Sequence, residues 1–117
     1  MNNAIRNTAA VLVAQLAKLM QSSVRDWAQI SDRYNVLLCD FSGEEIAAAG
    51  GKAHLVREIE DLEREVNSAG AAAEILAKAL REMNAFDDRA ENLYEMIWGL
   101  REETRRMASR ADDMLYA

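Results

Sequence analysis

The stretch LVREIEDLEREVNSAGAAAEILAKALREMNAFDDRAENLYEMIWGLREETRRMASRADDM, running from Leu55 to Met114, decides the fold. Its apolar residues step forward by four and three in alternation. Leu55, Ile59, Leu62, Val66, Ala69, Ala73, Leu76, Leu80 and Met83 form one series; Phe86, Ala90, Leu93, Ile97, Leu100, Thr104, Met107, Ala111 and Met114 form a second. This spacing keeps each series on one narrow stripe of an α-helix, and a stripe repeating every seven residues calls for another helix to cover it. The two series are out of phase, because the position following Met83 in the first would be Asp87 rather than Phe86. The slip predicts a tight helical hairpin at 84–87. Asn84 is the expected cap of the second arm, and Asp87, Asp88 and Glu91 put negative charge where the helix dipole favours it. The competing reading is one overwound helix from Lys52 to Tyr116, about 97 Å long. Asn67, Ser68 and Gly70 have turn character, but the stripe passes from Val66 through Ala69 to Ala73 without losing phase.

Upstream of this stretch the punctuation is clear. Ser42 followed by Glu45 has the form of a capping box, in which hydroxyl and carboxylate each satisfy a free backbone N–H at a helix start. Gly50 and Gly51 then interrupt the helix, which predicts a short helix over 43–49 and a fresh start at Lys52. A helix running straight through is the alternative, since an interior glycine costs only ~1 kcal/mol. The first helix is expected over about 3–40. Ile5, Leu16, Trp27 and Leu38 recur every eleven residues, with Ala9, Met20, Ser31, Leu12, Ser23 and Tyr34 filling the same repeat, a period that suits a nearly straight helix. Val11, Val13, Val24, Ile30 and Leu37 widen the apolar surface, so this helix is built to touch more than one neighbour.

Charge and composition narrow the function. The 117 residues carry a net charge of −6, are 50 % hydrophobic and 6 % aromatic, and contain no proline. Such a chain suits one domain of long helices, and no strand pattern is present. Residues 1–41 carry four bases against three acids, residues 42–84 five against nine, and residues 85–117 five against eight. An acidic chain repels a phosphate backbone, so direct nucleic-acid binding is not expected. The first acid is Asp26, and residues 1–20 are cationic and amphipathic. A core-facing helix is the expected use of that segment, with membrane-surface contact the alternative. Gln15 and Lys18 break its apolar run, so neither a secretory signal nor a transmembrane helix is expected. Cys39 is alone and sits beside Leu37, Leu38 and Phe41, which reads as a small buried hydrophobe in a reducing, cytoplasmic setting; a dimer-linking thiol is the alternative.

Groups for catalysis are scarce. His54 is the only histidine; Glu58 lies one turn later, giving two of the three or four ligands a metal needs. Gly50-Gly51-Lys52 lacks the spacing of a phosphate loop. No catalytic residue, metal or cofactor is therefore expected. The informative residues lie off the stripe: Tyr94 flanks it, Trp98 stands one turn on, Gly99 follows, and Arg101 and Arg105 lie on the same side. Tryptophan beside arginine is enriched where proteins bind proteins, so Tyr94, Trp98, Arg101 and Arg105 are the candidate partner-binding residues; burial under the first helix is the competing account. Arg101, Arg105, Arg106 and Arg110 are interleaved with acids, as on a solvated face.

The expected protein is all-α, a long-helix bundle or coiled-coil hairpin with three main helices at about 3–40, 52–84 and 87–116, and dimeric. Its expected function is non-enzymatic: an adaptor, chaperone or inhibitor binding a protein partner through a helical surface. A self-assembling structural coiled coil is the alternative, and an acidic decoy for a nucleic-acid-binding protein is a third.

Overall fold

The computed structural model describes residues 3–116. Four helices follow in order: α1 (Asn3–Cys39), α2 (Glu44–Ala48), α3 (Lys52–Glu82) and α4 (Asp88–Leu115). Helices α1, α3 and α4 pack against one another as an all-α bundle measuring 62 × 20 × 18 Å, and no strand occurs among the described residues. The heptad spacing dictates this outcome. Every member of both apolar series from Leu55 to Met114 is buried or half-buried.

The hairpin forms where the phase slips, which removes the single-helix alternative. Its caps differ from expectation. Asn84 does not start α4; it ends α3 in a left-handed conformation (φ 54), with its N–H donating to Arg81 O at 3.0 Å and that of Ala85 to Leu80 O at 2.8 Å. This pair of bonds satisfies the last carbonyls of α3. Asp87 caps α4 instead, its carboxylate accepting from the Ala90 N–H at 3.0 Å. The predicted capping box at Ser42 and Glu45 does not form either. Asp40 takes its place, accepting from the N–H groups of Gly43 and Ile46, while Ser42 Oγ accepts from Glu44 N at 3.3 Å. A carboxylate with two acceptor oxygens outcompetes one hydroxyl for these donors. Gly50 and Gly51 both have positive φ (101 and 100) and close α2 through bonds from Gly50 N to Ala47 O and Gly51 N to Ile46 O, so the break at these glycines is real.

In α1 the eleven-residue reading holds in its middle and fails at its ends: Leu16, Ser23 and Tyr34 are buried and Ala9, Leu12, Met20, Trp27 and Ser31 half-buried. The buried row is Leu16, Ser23, Ile30 and Leu37, at intervals of seven, with Asp26 and Tyr34 beside it. Ile5 and Leu38, the ends of the eleven-residue series, are exposed. Helix α1 has to match two partners that both repeat every seven residues, and it does so with Ser23 on the core row and with Asp26 beside it, a buried acid that an apolar scan passes over. Cys39 is exposed rather than buried, because Leu37 is the last residue of α1 on the core row.

Those polar residues cut the core in two. One cluster joins Ile30, Tyr34, Leu37, Leu55, Val56, Ile59, Val66, Ala108 and Ala111; the other joins Leu16, Ala73, Leu80, Ala90 and Ile97. Between them lies a waist of small and polar side chains, Ser23 and Asp26 from α1, Gly70 from α3 and Thr104 from α4, all buried. Thr104 Oγ1 donates to Arg101 O, whereas Ser23 Oγ and Trp27 Nε1 are buried without a hydrogen-bond partner among the described residues. Burial raises the Asp26 carboxyl above its ordinary range, and Glu65 of α3 adds to this by its charge and by a hydrogen bond; Arg25 pulls the other way.

Candidate functional site

The groove between α3 and α4 carries a ladder of aromatic rings and guanidinium groups. The hairpin turn brings Phe86 alongside Tyr94, ring centroids 6.0 Å apart and planes at 77°, and Tyr94 meets Trp98 one turn later at 6.4 Å and 72°. Both contacts are edge to face, the arrangement that places the positive rim of one ring against the negative face of the next. Arg81, in the last turn of α3, spans the lower rungs with its guanidinium carbon 4.4 Å from the Phe86 centroid and 5.6 Å from that of Tyr94. Arg101 lies 5.0 Å from the Trp98 centroid. Each such contact contributes about 0.5–1 kcal/mol at a partly exposed site.

Arg101 is held in place from the α3 side. Its Nε donates to Asn67 Oδ1 at 3.2 Å, and its Nη1 stands 4.0 Å from Glu74 Oε1. Gly70 makes room for it: a Cβ there would stand 3.2 Å from Arg101 Cδ. This explains a mid-helix glycine that costs helix stability yet lies within an unbroken stripe. The result is a half-buried Trp98 between a fixed arginine and Tyr94.

Of the four candidate partner-binding residues, the fold brings Tyr94, Trp98 and Arg101 into direct contact. Arg105 lies one turn further along α4 and outside the ladder. It donates to Glu102 Oε1 at 3.3 Å and lines a shallow groove with Glu60 and Glu63. Burial pushes the Glu63 carboxyl up, Glu60 pushes it the same way, and Arg105 and Arg64 oppose them. Arg81, Asn67 and Glu74 of α3 and Phe86 of the turn complete the site, although the sequence offers Phe86 only as a stripe residue and Asn67 only as a turn residue. The membership of the α3 residues depends on which of them the hairpin sets opposite α4, and no local spacing encodes that.

Elsewhere the titratable side chains tie helices together. Glu58 of α3 accepts from Arg33 Nε of α1 and pairs with His54. The Arg33 hydrogen bond holds the Glu58 carboxyl below its ordinary range, with the charges of Arg33 and His54 acting in the same direction. Among the described residues no group of three or more His, Cys, Asp or Glu side chains is placed to hold a metal ion, and no helix is long and apolar enough to cross a membrane. What the groove offers is ring faces, ring edges and guanidinium donors. No protein-family model matches the chain, and comparisons with curated proteins and with solved structures find no match.

Proposed function

We propose that this chain is a non-enzymatic helical interaction module, an adaptor, chaperone or inhibitor, that binds a protein partner along the α3–α4 groove. Tyr94 and Trp98 are the anchors in this reading, Arg101 fixes their orientation, and Arg105 offers a carboxylate contact at the edge. The observation that supports it is the fixed Arg101. A half-buried tryptophan already clamped by an arginine, which Asn67 and Glu74 secure in turn, loses little side-chain freedom when a partner covers it. The heptad stripes of α3 and α4 are occupied within the bundle, which leaves them unavailable for a filament built by the same stripes.

Capture of proteins from a native extract by the wild-type chain and by Trp98→Ala tests the reading. Specific capture should fall at least ~10-fold with the variant while helicity stays unchanged, as for the loss of an interface anchor. Equal capture by both chains counts against the groove. A collapse of stability in Trp98→Ala would assign the ring to the core instead.

A further inference from the structure

The edge of α4 opposite Trp98 faces α1, and the surface these two helices share carries a second apolar patch. Two shallow clefts mark its ends. One is lined by Ala10 and Val13 of α1 with Arg89 of α4, the other by Ser31 of α1 with Glu103 and Arg106 of α4. Steps of seven along each helix connect the clefts: Ala10, Ala17, Val24 and Ser31 on α1, and Arg89, Met96 and Glu103 on α4. Along these two rows no charged residue falls between Arg89 and Glu103, and exposed Glu95 stands beside Met96 at the outer rim. Val24 is 38 % exposed and Met96 49 % exposed, and a Cβ added at Gly99 would meet nothing within 4 Å.

We propose that this α1–α4 face binds a second copy of the chain, with the two copies antiparallel about a two-fold axis through Met96. The α4 edge reads the same in both directions. Arg89 and Glu103 stand seven residues before and after Met96, so the axis sets Arg89 of each copy against Glu103 of the other, twice over. Asn92 and Gly99 stand about one turn to either side, which lays Asn92 over the open Gly99 position of the second copy. Neither Arg89 nor Glu103 has an ion-pair partner among the described residues. For a chain of net charge −6, rows that carry opposite charges at their two ends and none between favour the approach of a second, antiparallel copy.

Other apolar surfaces fit a second copy less well. The α1–α3 groove exposes Ile75 at 71 %, but Lys18 lines it with no acidic residue among the lining to pair with it across a two-fold axis. Phe41, 98 % exposed at the α1–α2 corner, is flanked in sequence by Asp40, Glu44 and Glu45.

Sedimentation of the full chain over a range of concentrations tests the proposal. The wild type should reach a fixed dimer. Met96→Glu should raise the dissociation constant ~100-fold or more with helicity unchanged, since it sets two carboxylates on the axis. Arg89→Glu and Glu103→Arg should each weaken the dimer about 2- to 10-fold, and the double variant should recover it, because the reversed pairs attract again. Ile75→Glu should leave it intact. A monomer at every concentration overturns the proposal, as does a dimer indifferent to Met96→Glu or a double exchange without recovery. The Trp98 groove lies on the opposite edge of α4, so a dimer lost in Met96→Glu leaves the Trp98 reading untouched, and capture lost in Trp98→Ala leaves the dimer untouched.

Discussion

At the scale of single residues, two carboxylates in this bundle respond to pH in opposite directions. Asp26 is 3 % exposed, and burial together with Glu65 raises its pKa. As pH climbs above the ordinary aspartate range, the unfolded chain releases its proton first. The folded chain either holds its proton or buries a charge, so stability falls as pH rises through the folded pKa. Glu58 has its pKa lowered, chiefly by the Arg33 hydrogen bond. Its contribution is present above the unfolded pKa and is lost as pH drops through the folded one. Asp26→Asn keeps the side-chain shape and a donor toward Glu65 while removing the charge. It should stabilise the protein by about 1 kcal/mol at neutral pH, roughly 4 °C in Tm for a domain of this size, and the gain should shrink as the solution is acidified. Thermal melts of both chains at several pH values check this. A gain that persists unchanged in acid would mean that Asp26 is not the group being relieved.

At the scale of elements, the α3–α4 junction shows what the sequence disclosed and what it withheld. The positions of all four helices follow from stripe spacing, the Gly50–Gly51 pair and the phase slip, because these are local consequences of helical geometry. Cap assignments did not follow, because Asn84 and Asp87 suit either role and three-dimensional closure of the turn decides between them. If Asn84 capped α4, replacing it with glycine would cost a few tenths of a kcal/mol. In the left-handed position it occupies, Asn84→Gly should instead stabilise by a similar amount or more, and Asp87→Ala should cost about 1 kcal/mol. Urea unfolding of the two variants decides the matter by the sign of the first. The same limit explains the ladder: Tyr94, Trp98 and Arg101 share one edge of α4 by spacing alone, but Arg81 and Asn67 join them only through the register of the hairpin. In α1 the obstacle is chemical, since Asp26 occupies a core position with a side chain that no apolar scan counts.

At the scale of the whole molecule, the polar waist divides a 62 Å rod into halves of unequal depth. The half holding the ends of α1 and α4 and the start of α3 buries Ile30, Leu37, Leu55, Val56 and Ile59. The hairpin half buries Leu16, Leu80 and Ile97 among the small Ala73 and Ala90, and depends for the rest on side chains that stay partly in water. Buried apolar area sets the free energy of local opening, at about 25 cal/mol per Å². Where small and polar side chains thin the apolar packing between two halves, they can open separately. Native-state hydrogen exchange should therefore show the amides around Leu16, Leu80 and Ile97 exchanging through a lower-energy opening than those around Ile30, Ile59 and Ala108. Asp26→Leu extends the apolar row of α1 across the waist from Ile30 toward Leu16, and it removes the buried charge facing Glu65. The two sets of amides should then converge on one opening energy. Convergence already in the wild type would show that the waist couples the halves as firmly as an apolar core does. A gap that survives Asp26→Leu would shift the cause from the waist to the shallow packing of the hairpin half itself.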